Sequence, residues 1–227
     1  MRIGIVTVGD ELLDGEVVNT NAAWLATRLD ERGVDVRETA VLPDEIGVIA
    51  ERVREFAGRF DAVLVTGGVG GTPDDVTMDA VAAAFDRELV VEAEVSEMVV
   101  ESARDPDALC VEAWAALPAG ARPIPNDAGL CPGCVIENVY VFPGVPPEME
   151  AVFGRVADEF AGDRRARTLY TARSESEIVG ELARARDEFG VAVGSYPNTD
   201  GGEKRIKVVG SDAAAVDAAA DWLVERL

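Results

Sequence analysis

The stretch TGGVGGTPDDVT, from Thr66 to Thr77, decides the fold that we predict for this chain. Four apolar residues, Ala62 to Val65, precede it and are typical of a buried strand, and a helical pattern follows it. Four glycines within five positions let the backbone turn tightly and approach a ligand closely, because glycine has no Cβ. The order of strand, glycine turn and helix predicts one unit of a parallel α/β sheet.

The residues after the glycines predict the start of that helix. Thr72 fits the N-cap, Pro73 the first helical position, and Asp75 the acidic position three residues after the cap. A helix start of this kind suits an anion, but Asp74 and Asp75 would repel a phosphate unless a metal ion lay between them. Capping alone also accounts for Asp75, and a favourable charge at a helix start accounts for Asp74, so both interpretations stay open.

Further strands and helices alternate around this stretch. The pattern predicts a strand over Ile3–Val8, a helix capped by Thr20 or Asn21 that runs through Trp24, Leu25 and Leu29 to Gly33, a strand over Val34–Leu42 and a helix over Ile46–Phe56. This βαβαβα order predicts an α/β fold with a mostly parallel sheet between two helical layers, over residues 1–163. Ligands of such sheets bind at the carboxyl ends of the strands, where three polar loops are expected to meet: Gly9–Asn21, Pro43–Glu45 and Gly67–Asp75.

The rest of the first domain is less regular. Residues Val95 to Ala116 are predicted to be helical, with a break at Asp105-Pro106. Short strands are expected between Ala121 and Val141, and the rigid loop Phe142–Glu148 leads into another helix. The loop follows an apolar strand, so Pro143 and Gly144 are expected at the same carboxyl edge.

A second, smaller α+β domain is predicted over residues 168–227. The polar stretch Gly162–Arg167 is interpreted as a linker. Beyond it the pattern predicts a βαββα unit, made of strand Thr168–Ala172, helix Glu175–Phe189, strands Val191–Tyr196 and Arg205–Val209 joined by a turn at Asn198–Gly202, and helix Ala213–Leu227.

The charge of the chain restricts its partners. Its 227 residues carry a net charge of −22, and Lys204 and Lys207 are the only lysines. Such a surface repels nucleic acid and anionic lipid and suits a high-salt cytoplasm, as in a halophile. The amino-terminal sequence predicts a strand and lacks the features of a signal peptide, and no apolar run approaches the roughly 20 residues of a membrane helix. We therefore expect a cytoplasmic protein that binds neither nucleic acid nor membrane.

Histidine and cysteine offer little chemistry. The chain has no histidine, which excludes Ser/His and Cys/His catalysis. Cys131 and Cys134 form a CPGC motif that is either a redox or metal pair or a Pro-Gly turn with buried thiols. No second pair completes a zinc site, so the turn is the favoured interpretation.

Oxygen ligands are the chemistry that remains. The carboxylates of Glu11, Asp44, Asp74 and Asp75 suit a hard cation such as Mg²⁺. Residues expected to bind phosphate oxygens through amides or hydroxyls are Gly67, Gly68, Gly70, Gly71, Thr72 and Thr77. Asn19 and Asn21 are most simply helix caps, with sugar or phosphate binding as the alternative, and Asp44 can be merely the start of a turn.

The motifs resemble a known family. TGGVGGTPDDVT, with GDELLDGEVVNTN before it and FPGVPPEM after it, resembles the molybdopterin-binding domain shared by MogA, MoaB and MoeA. The segments RTLYTARSESEIVGEL and VGSYPN resemble the small domain of competence/damage-inducible CinA proteins, whose amino-terminal region the chain resembles most. The deamidase domain of full-length CinA proteins has no counterpart here, so its activity is not carried over.

The resemblance implies a ligand that bears phosphate, either molybdopterin or an ADP-containing dinucleotide. It implies that Asp75 is functional with Asp44 as its partner, and it alone suggests Ser195 as a ligand contact. CinA-like relatives are associated with metal-dependent cleavage of ADP-ribose, and a related domain with FAD hydrolysis. We therefore predict a metal-dependent hydrolase of a nucleotide pyrophosphate that assembles as a dimer or trimer. Its predicted catalytic residues are Asp75, Asp44 and Asp74. Its predicted metal ligands are Asp75, Asp44 and Glu11. The alternatives are a protein that binds or adenylylates molybdopterin and a non-catalytic nucleotide-binding module.

Overall fold

A computed structural model describes residues 1–105, 109–197 and 202–227, which divide into two units, Met1–Ala161 and Gly162–Leu227. The helices and strands of the first unit are, in chain order, β1 (Arg2–Val8), α1 (Asp10–Leu13), α2 (Thr20–Glu31), β2 (Asp35–Leu42), α3 (Ile46–Arg59), β3 (Ala62–Thr66), α4 (Thr77–Ala84), β4 (Leu89–Val91), α5 (Ala93–Ser102), α6 (Val111–Ala115), β5 (Ala116–Pro118), β6 (Arg122–Ile124), β7 (Gly133–Ile136), β8 (Val139–Phe142) and α7 (Pro146–Val156), with a 3₁₀ turn over Ala157–Glu159.

A six-stranded sheet of order β2-β1-β3-β8-β7-β6 forms the centre of this unit. The first four strands are parallel, and β7 and β6 continue the sheet antiparallel to them. The predicted mostly parallel α/β sheet is confirmed. Because β1, β2, β3 and β8 point the same way, the loops that follow them emerge at one edge.

Both faces of the sheet are covered, in agreement with the predicted arrangement of a sheet between two helical layers. Ile3 and Ile5 belong to a core that also contains residues of α2 and α7. Val6 and Val8 belong to a second core on the other face, which contains residues of α3 and α4. Alternate side chains of a strand point to opposite faces, so one strand contributes to both cores.

The helix after the glycine turn starts later than predicted. α4 begins at Thr77 with Val76 as its N-cap, whereas Thr72–Asp75 forms a separate turn in which the N–H of Asp75 donates to the carbonyl of Thr72 at 3.0 Å. The prediction of Thr72 as N-cap and Pro73 as the first helical residue was wrong. The N–H of Thr77 donates to the carbonyl of Gly68 at 2.8 Å, and this bond joins the helix start to the glycine turn.

The loop between β1 and α2 also differs from the prediction. It contains the one-turn helix α1, and α2 is capped by Asn19, whose side chain accepts from the N–H of Ala22 at 3.1 Å. Thr20 and Asn21 lie inside the helix, so the prediction that one of them is the cap was wrong. Asn19 was the correct one of the two asparagines proposed as caps.

The segment predicted as one broken helix from Val95 to Ala116 is two helices, α5 and α6, and Pro106 lies outside the described residues. The two-stranded antiparallel sheet of β4 and β5, which pairs Leu89 with Pro118 across α5 and α6, was not predicted. Among the described residues, no helix is long and apolar enough to span a membrane.

The second unit has the predicted βαββα order. Its elements are β9 (Arg165–Thr171), α8 (Glu175–Phe189), β10 (Ala192–Tyr196), β11 (Lys204–Gly210) and α9 (Ala213–Val224), and its antiparallel sheet has the order β10-β11-β9. The predicted linker over Gly162–Arg167 was partly wrong, because β9 already begins at Arg165, which pairs with Gly210. Most of the predicted turn at Asn198–Gly202 lies outside the described residues.

Candidate functional site

A cavity of about 580 Å³ opens in the first unit at the carboxyl edge of the sheet. The loops after β1, β2, β3 and β8 all contribute to its wall, which is the place that the topology predicted for a ligand. The residues predicted from sequence that line it are Glu11, Asn19, Asn21, Asp44, Gly67, Gly68, Gly70, Asp74, Asp75, Pro143 and Gly144.

Four other predicted residues are placed differently. Gly71, Thr72 and Thr77 lie in or just after the same loop but do not line the cavity. Ser195 lies on β10 of the second unit, where it pairs with Ile206. For these four residues, a role in ligand binding stays a prediction.

Gly67 and Gly68 have backbone conformations that favour glycine. Their φ angles are +101° and +62°. A Cβ on Gly67 would lie 2.2 Å from the carbonyl oxygen of Val8, so the glycine turn passes directly over the end of β1. A Cβ on Gly68 would lie 2.6 Å from the hydroxyl of Thr77 and 3.2 Å from Oδ1 of Asp44. Glycine is thus required here both by conformation and by space.

Asn21 joins the ends of two strands below the cavity. Its Nδ2 donates to the hydroxyl of Thr66 at 3.1 Å and to the carbonyl of Gly144 at 2.7 Å. The hydroxyl of Thr66 in turn donates to the carbonyl of Pro143 at 2.7 Å. These bonds fix the loop after β8 against the loop after β3, so the two walls are held together by side chains.

Asn19 connects the start of α2 to the strands β1 and β2. Besides capping α2, it donates from Nδ2 to the hydroxyl of Thr7 at 2.8 Å, and Thr7 donates to the carbonyl of Ala40 on β2 at 3.2 Å. The start of α2 is therefore fixed to the ends of β1 and β2.

Asp10 and Asp44 bridge the loops after β1 and β2. The N–H of Asp10 donates to Oδ2 of Asp44 at 3.0 Å, and the N–H of Asp44 donates to Oδ1 of Asp10 at 3.4 Å. Burial raises the pKa of Asp44 above its ordinary 3.8; the bond from Asp10 opposes this, and the negative charges of Asp10, Glu11 and Asp74 raise the pKa further.

The cavity is acidic and lacks compensating side chains. Five carboxylates contribute to its wall, those of Glu11, Asp44, Asp74, Asp75 and Glu148, and no arginine or lysine is among its described lining residues. In the described ranges none of the five forms an ion pair with arginine. A free phosphate would be repelled here, and a cation would be attracted.

No set of three acidic, cysteine or histidine side chains in residues 1–105, 109–197 and 202–227 is arranged to hold a metal ion. Two buried oxygens in this region have no hydrogen-bond partner: Oδ1 of Asn21, which lines the cavity, and Oγ1 of Thr77, which lies behind Gly68. Buried polar atoms normally have partners, so these oxygens are positions where a bound water, ion or ligand would complete the site.

Glu148 and Trp114 are among the lining residues that the sequence reasoning missed. Glu148 lies in the first turn of α7 and accepts from Nδ2 of Asn126 at 2.7 Å; its position in the quoted FPGVPPEM motif was the available signal. Trp114 lies on α6 against Gly71, and no periodicity or motif connects the two positions.

The CPGC motif has the buried thiols of the favoured interpretation but not its Pro-Gly turn, because Gly133 and Cys134 already belong to β7, where they pair with Ile124 and Pro123. Cys131 and Cys134 are free and buried, and burial raises the pKa of each thiol to about 12. The carboxylates of Glu148 and Asp75 add to the effect at Cys131. Both thiols therefore stay protonated at neutral pH and are poor nucleophiles and metal ligands.

Comparison with known proteins agrees with the division into two units. A family model described as "Probable molybdopterin binding domain" matches residues 4–161, and the "FAD synthase, middle domain" model matches residues 164–227. A protein of Archaeoglobus fulgidus is 38% identical over all of this chain and 98% of its own length.

Solved structures are also similar. The crystal structure of CinA from Thermoplasma acidophilum, described as a protein with unknown function, is 31% identical, covers 71% of this chain and 99% of its own, and has a TM-score of 0.66. The molybdopterin biosynthesis enzyme MoaB from Thermus thermophilus is 25% identical, with coverage of 69% and 89% and a TM-score of 0.48.

Proposed function

The chain belongs to the molybdopterin-binding domain family and carries a FAD synthase middle domain after it, and from this premise we propose that it is a metal-dependent hydrolase of a nucleotide pyrophosphate such as ADP-ribose or FAD. The similarity to CinA extends over nearly the whole of that solved chain and supports a CinA-like protein.

The observation that carries the proposal is the composition of the cavity wall. Glycine amides, which suit phosphate oxygens, lie beside five carboxylates, and no basic side chain among the described lining residues balances them. A pyrophosphate brings negative charge into a site that already repels it. A phosphate ligand therefore needs a cation with it, and a cation beside a pyrophosphate is the arrangement in which the P–O–P bond is hydrolysed.

The residues fit a cation of the Mg²⁺ type. Mg²⁺ is usually held by one or two carboxylates together with substrate phosphate and water, and does not need a complete protein cage. Asp44, crowded by the charges of Asp10, Glu11 and Asp74, is the best candidate ligand, with Glu11 beside it. When bound, such an ion neutralises phosphate charge and lowers the pKa of a coordinated water.

The chain's own residues supply the rest. Gly68 and Gly70 line the cavity and are the candidate amide donors to phosphate oxygens, whereas the N–H of Gly67 already donates to the carbonyl of Phe142 at 3.2 Å. Asp75 lines the cavity with a carboxylate that Thr72 orients, and it accepts the proton of the attacking water. The water oxygen bonds to phosphorus as the bridging P–O bond breaks, which leaves AMP and ribose phosphate from ADP-ribose, or AMP and FMN from FAD.

The test is a substrate and metal panel. The purified protein, in concentrated potassium chloride, is incubated with ADP-ribose or FAD and with Mg²⁺, Mn²⁺ or Co²⁺, and AMP is measured by chromatography. We expect AMP with at least one metal and none in EDTA. Absence of AMP with every metal would overturn the proposal.

Molybdopterin is the second candidate ligand, because the family model that matches most of the chain is described as binding it. The same glycine amides suit its phosphate. A deletion strain distinguishes the two functions: loss of molybdoenzyme activity would favour this candidate, and unchanged activity would favour the nucleotide. The net charge of −22 argues against nucleic acid in either case.

A further inference from the structure

Trp114 is the only aromatic side chain among the described residues that line the cavity. Of the two other tryptophans of the chain, Trp24 packs against Phe153, and Trp222 lies in the second unit on α9. A planar ring that enters the cavity therefore has one aromatic surface available in the described wall.

The contact with Gly71 places this tryptophan beside the glycine turn. A Cβ on Gly71 would lie 2.6 Å from Nε1 of Trp114 and 2.7 Å from its Cε2, so the indole occupies the space that any other residue would fill. Gly71 does not line the cavity itself. The absence of a side chain at Gly71 makes room for the indole. This packing accounts for a glycine at a position that the sequence pattern had assigned to phosphate binding.

The indole packs against the core and also contributes to the cavity wall. Trp114 packs against the core that contains residues of α3 and α4 and also lines the cavity, so the ring is half-buried. Within the described residues its N–H has no hydrogen-bond acceptor. Nε1 is the indole atom nearest the Cβ position of Gly71, so the N–H lies on the side of the ring that packs against the glycine turn.

We propose that Trp114 stacks on the planar nitrogen heterocycle of the ligand while the glycine turn holds its phosphates. Asp75 and Cys131 line the cavity together with Trp114, so the ring lies beside the turn that orients the proposed base. This inference deepens the proposed function and rests on it for the phosphate end of the ligand. It selects ligands with a flat ring, adenine or isoalloxazine, over phosphate sugars without one.

Binding measurements test the role of the ring. Calorimetry with AMP, FMN and ribose phosphate, each in Mg²⁺, compares the wild type with Trp114→Leu and with Trp24→Leu, a matched loss of a half-buried tryptophan outside the cavity. We expect Trp114→Leu to weaken AMP or FMN binding by roughly 5- to 100-fold and to leave ribose phosphate unchanged. Trp24→Leu should leave all three unchanged, and Trp114→Phe should retain most of the affinity.

Fluorescence gives a readout that a structural defect would not mimic. In the Trp24→Phe/Trp222→Phe variant, which keeps Trp114 alone, AMP should quench the emission and ribose phosphate should not. The inference is overturned if Trp114→Leu binds AMP and FMN as tightly as the wild type, or if the wild type binds neither better than ribose phosphate. AMP release from ADP-ribose, measured separately, reports on the proposed function: ring-dependent binding without hydrolysis would overturn that function alone.

Discussion

The carboxylate of Asp75 accepts a hydrogen bond from the backbone N–H of Thr72 at 3.0 Å and a second from the Thr72 hydroxyl. The two residues close a turn that precedes α4, and a Cβ on Gly70 would lie 2.5 Å from Oδ2 of Asp75. Asp75 thus stabilises a local turn through Thr72 and, at the same time, lines the cavity.

Substitutions of Asp75 separate these two roles. Asparagine keeps an oxygen that accepts from Thr72 but cannot take a proton, whereas alanine removes both functions. We expect Asp75→Asn to lose hydrolysis by about 100-fold or more, with a melting temperature close to that of the wild type. Asp75→Ala should lose activity equally and also about 1 kcal/mol of the free energy of unfolding.

Asp79→Asn is the matched control, because Asp79 is exposed in the first turn of α4 and does not line the cavity. It should retain full activity. Hydrolysis by Asp75→Asn at the wild-type rate would exclude Asp75 as the base.

The same contact explains where prediction from sequence stopped. The spacing of Thr72 and Asp75 indicated a capping box, and the predicted reciprocal contact exists in part, but it closes a turn instead of a helix. Spacing alone does not distinguish the two, because both bring a side chain back over three residues. The buried strand before the turn was predictable from composition, since Ala62–Val65 contributes to both cores.

Contacts between distant segments could be predicted only where strand order decided them. The parallel order of strands predicted that loops would meet at one edge, and so brought Asp44 and the glycine turn together. The contact of Trp114 with Gly71 depends on how α6 packs against the glycine turn, and no local sequence pattern predicts that packing.

Gly68 should not tolerate a side chain. Its φ of +62° and the closeness of Thr77 and Asp44 predict that Gly68→Ala loses about 1 to 2 kcal/mol of the free energy of unfolding from conformation alone, and also loses ligand binding. Gly58→Ala is the control, because Gly58 lies in α3 with open space at its Cβ position. It should stabilise the protein by roughly 0.5 to 1 kcal/mol. Calorimetric melting and AMP binding measure both effects, and unchanged AMP binding by Gly68→Ala would contradict the account.

Asn21 should be needed for the geometry of the cavity. Asn21→Ala removes the donor to Thr66 and Gly144, so we expect a loss of about 1 to 3 kcal/mol in unfolding free energy and a higher KM for the nucleotide. Asn138→Ala removes a comparable pair of bonds, from Nδ2 to the carbonyls of Ala57 and Phe60, away from the cavity wall. Chemical denaturation and steady-state rates should show equal destabilisation in both variants but a raised KM only in Asn21→Ala. A raised KM in both would indicate general loosening instead.

Asp44 should make stability depend on pH and on divalent cations. Its pKa in the folded chain is raised above 3.8, so the folded state binds more protons and its stability falls as the pH rises through the interval from the ordinary pKa to the raised one. Without divalent cations at pH 7, Asp44→Asn should therefore melt above the wild type, and the difference should shrink as the pH falls into that interval. Mg²⁺ should stabilise the wild type and not Asp44→Asn; equal stabilisation of both proteins would remove Asp44 from the cation site.

The most direct test of the central claim is hydrolysis of ADP-ribose in water enriched in heavy oxygen, with Mg²⁺ or Mn²⁺ and with EDTA, followed by mass spectrometry of the products. The account predicts AMP and ribose phosphate in the presence of the metal, with one heavy oxygen incorporated into one of the two phosphates, and intact ADP-ribose in EDTA. Intact ADP-ribose with both metals, or products that carry no heavy oxygen, would contradict it.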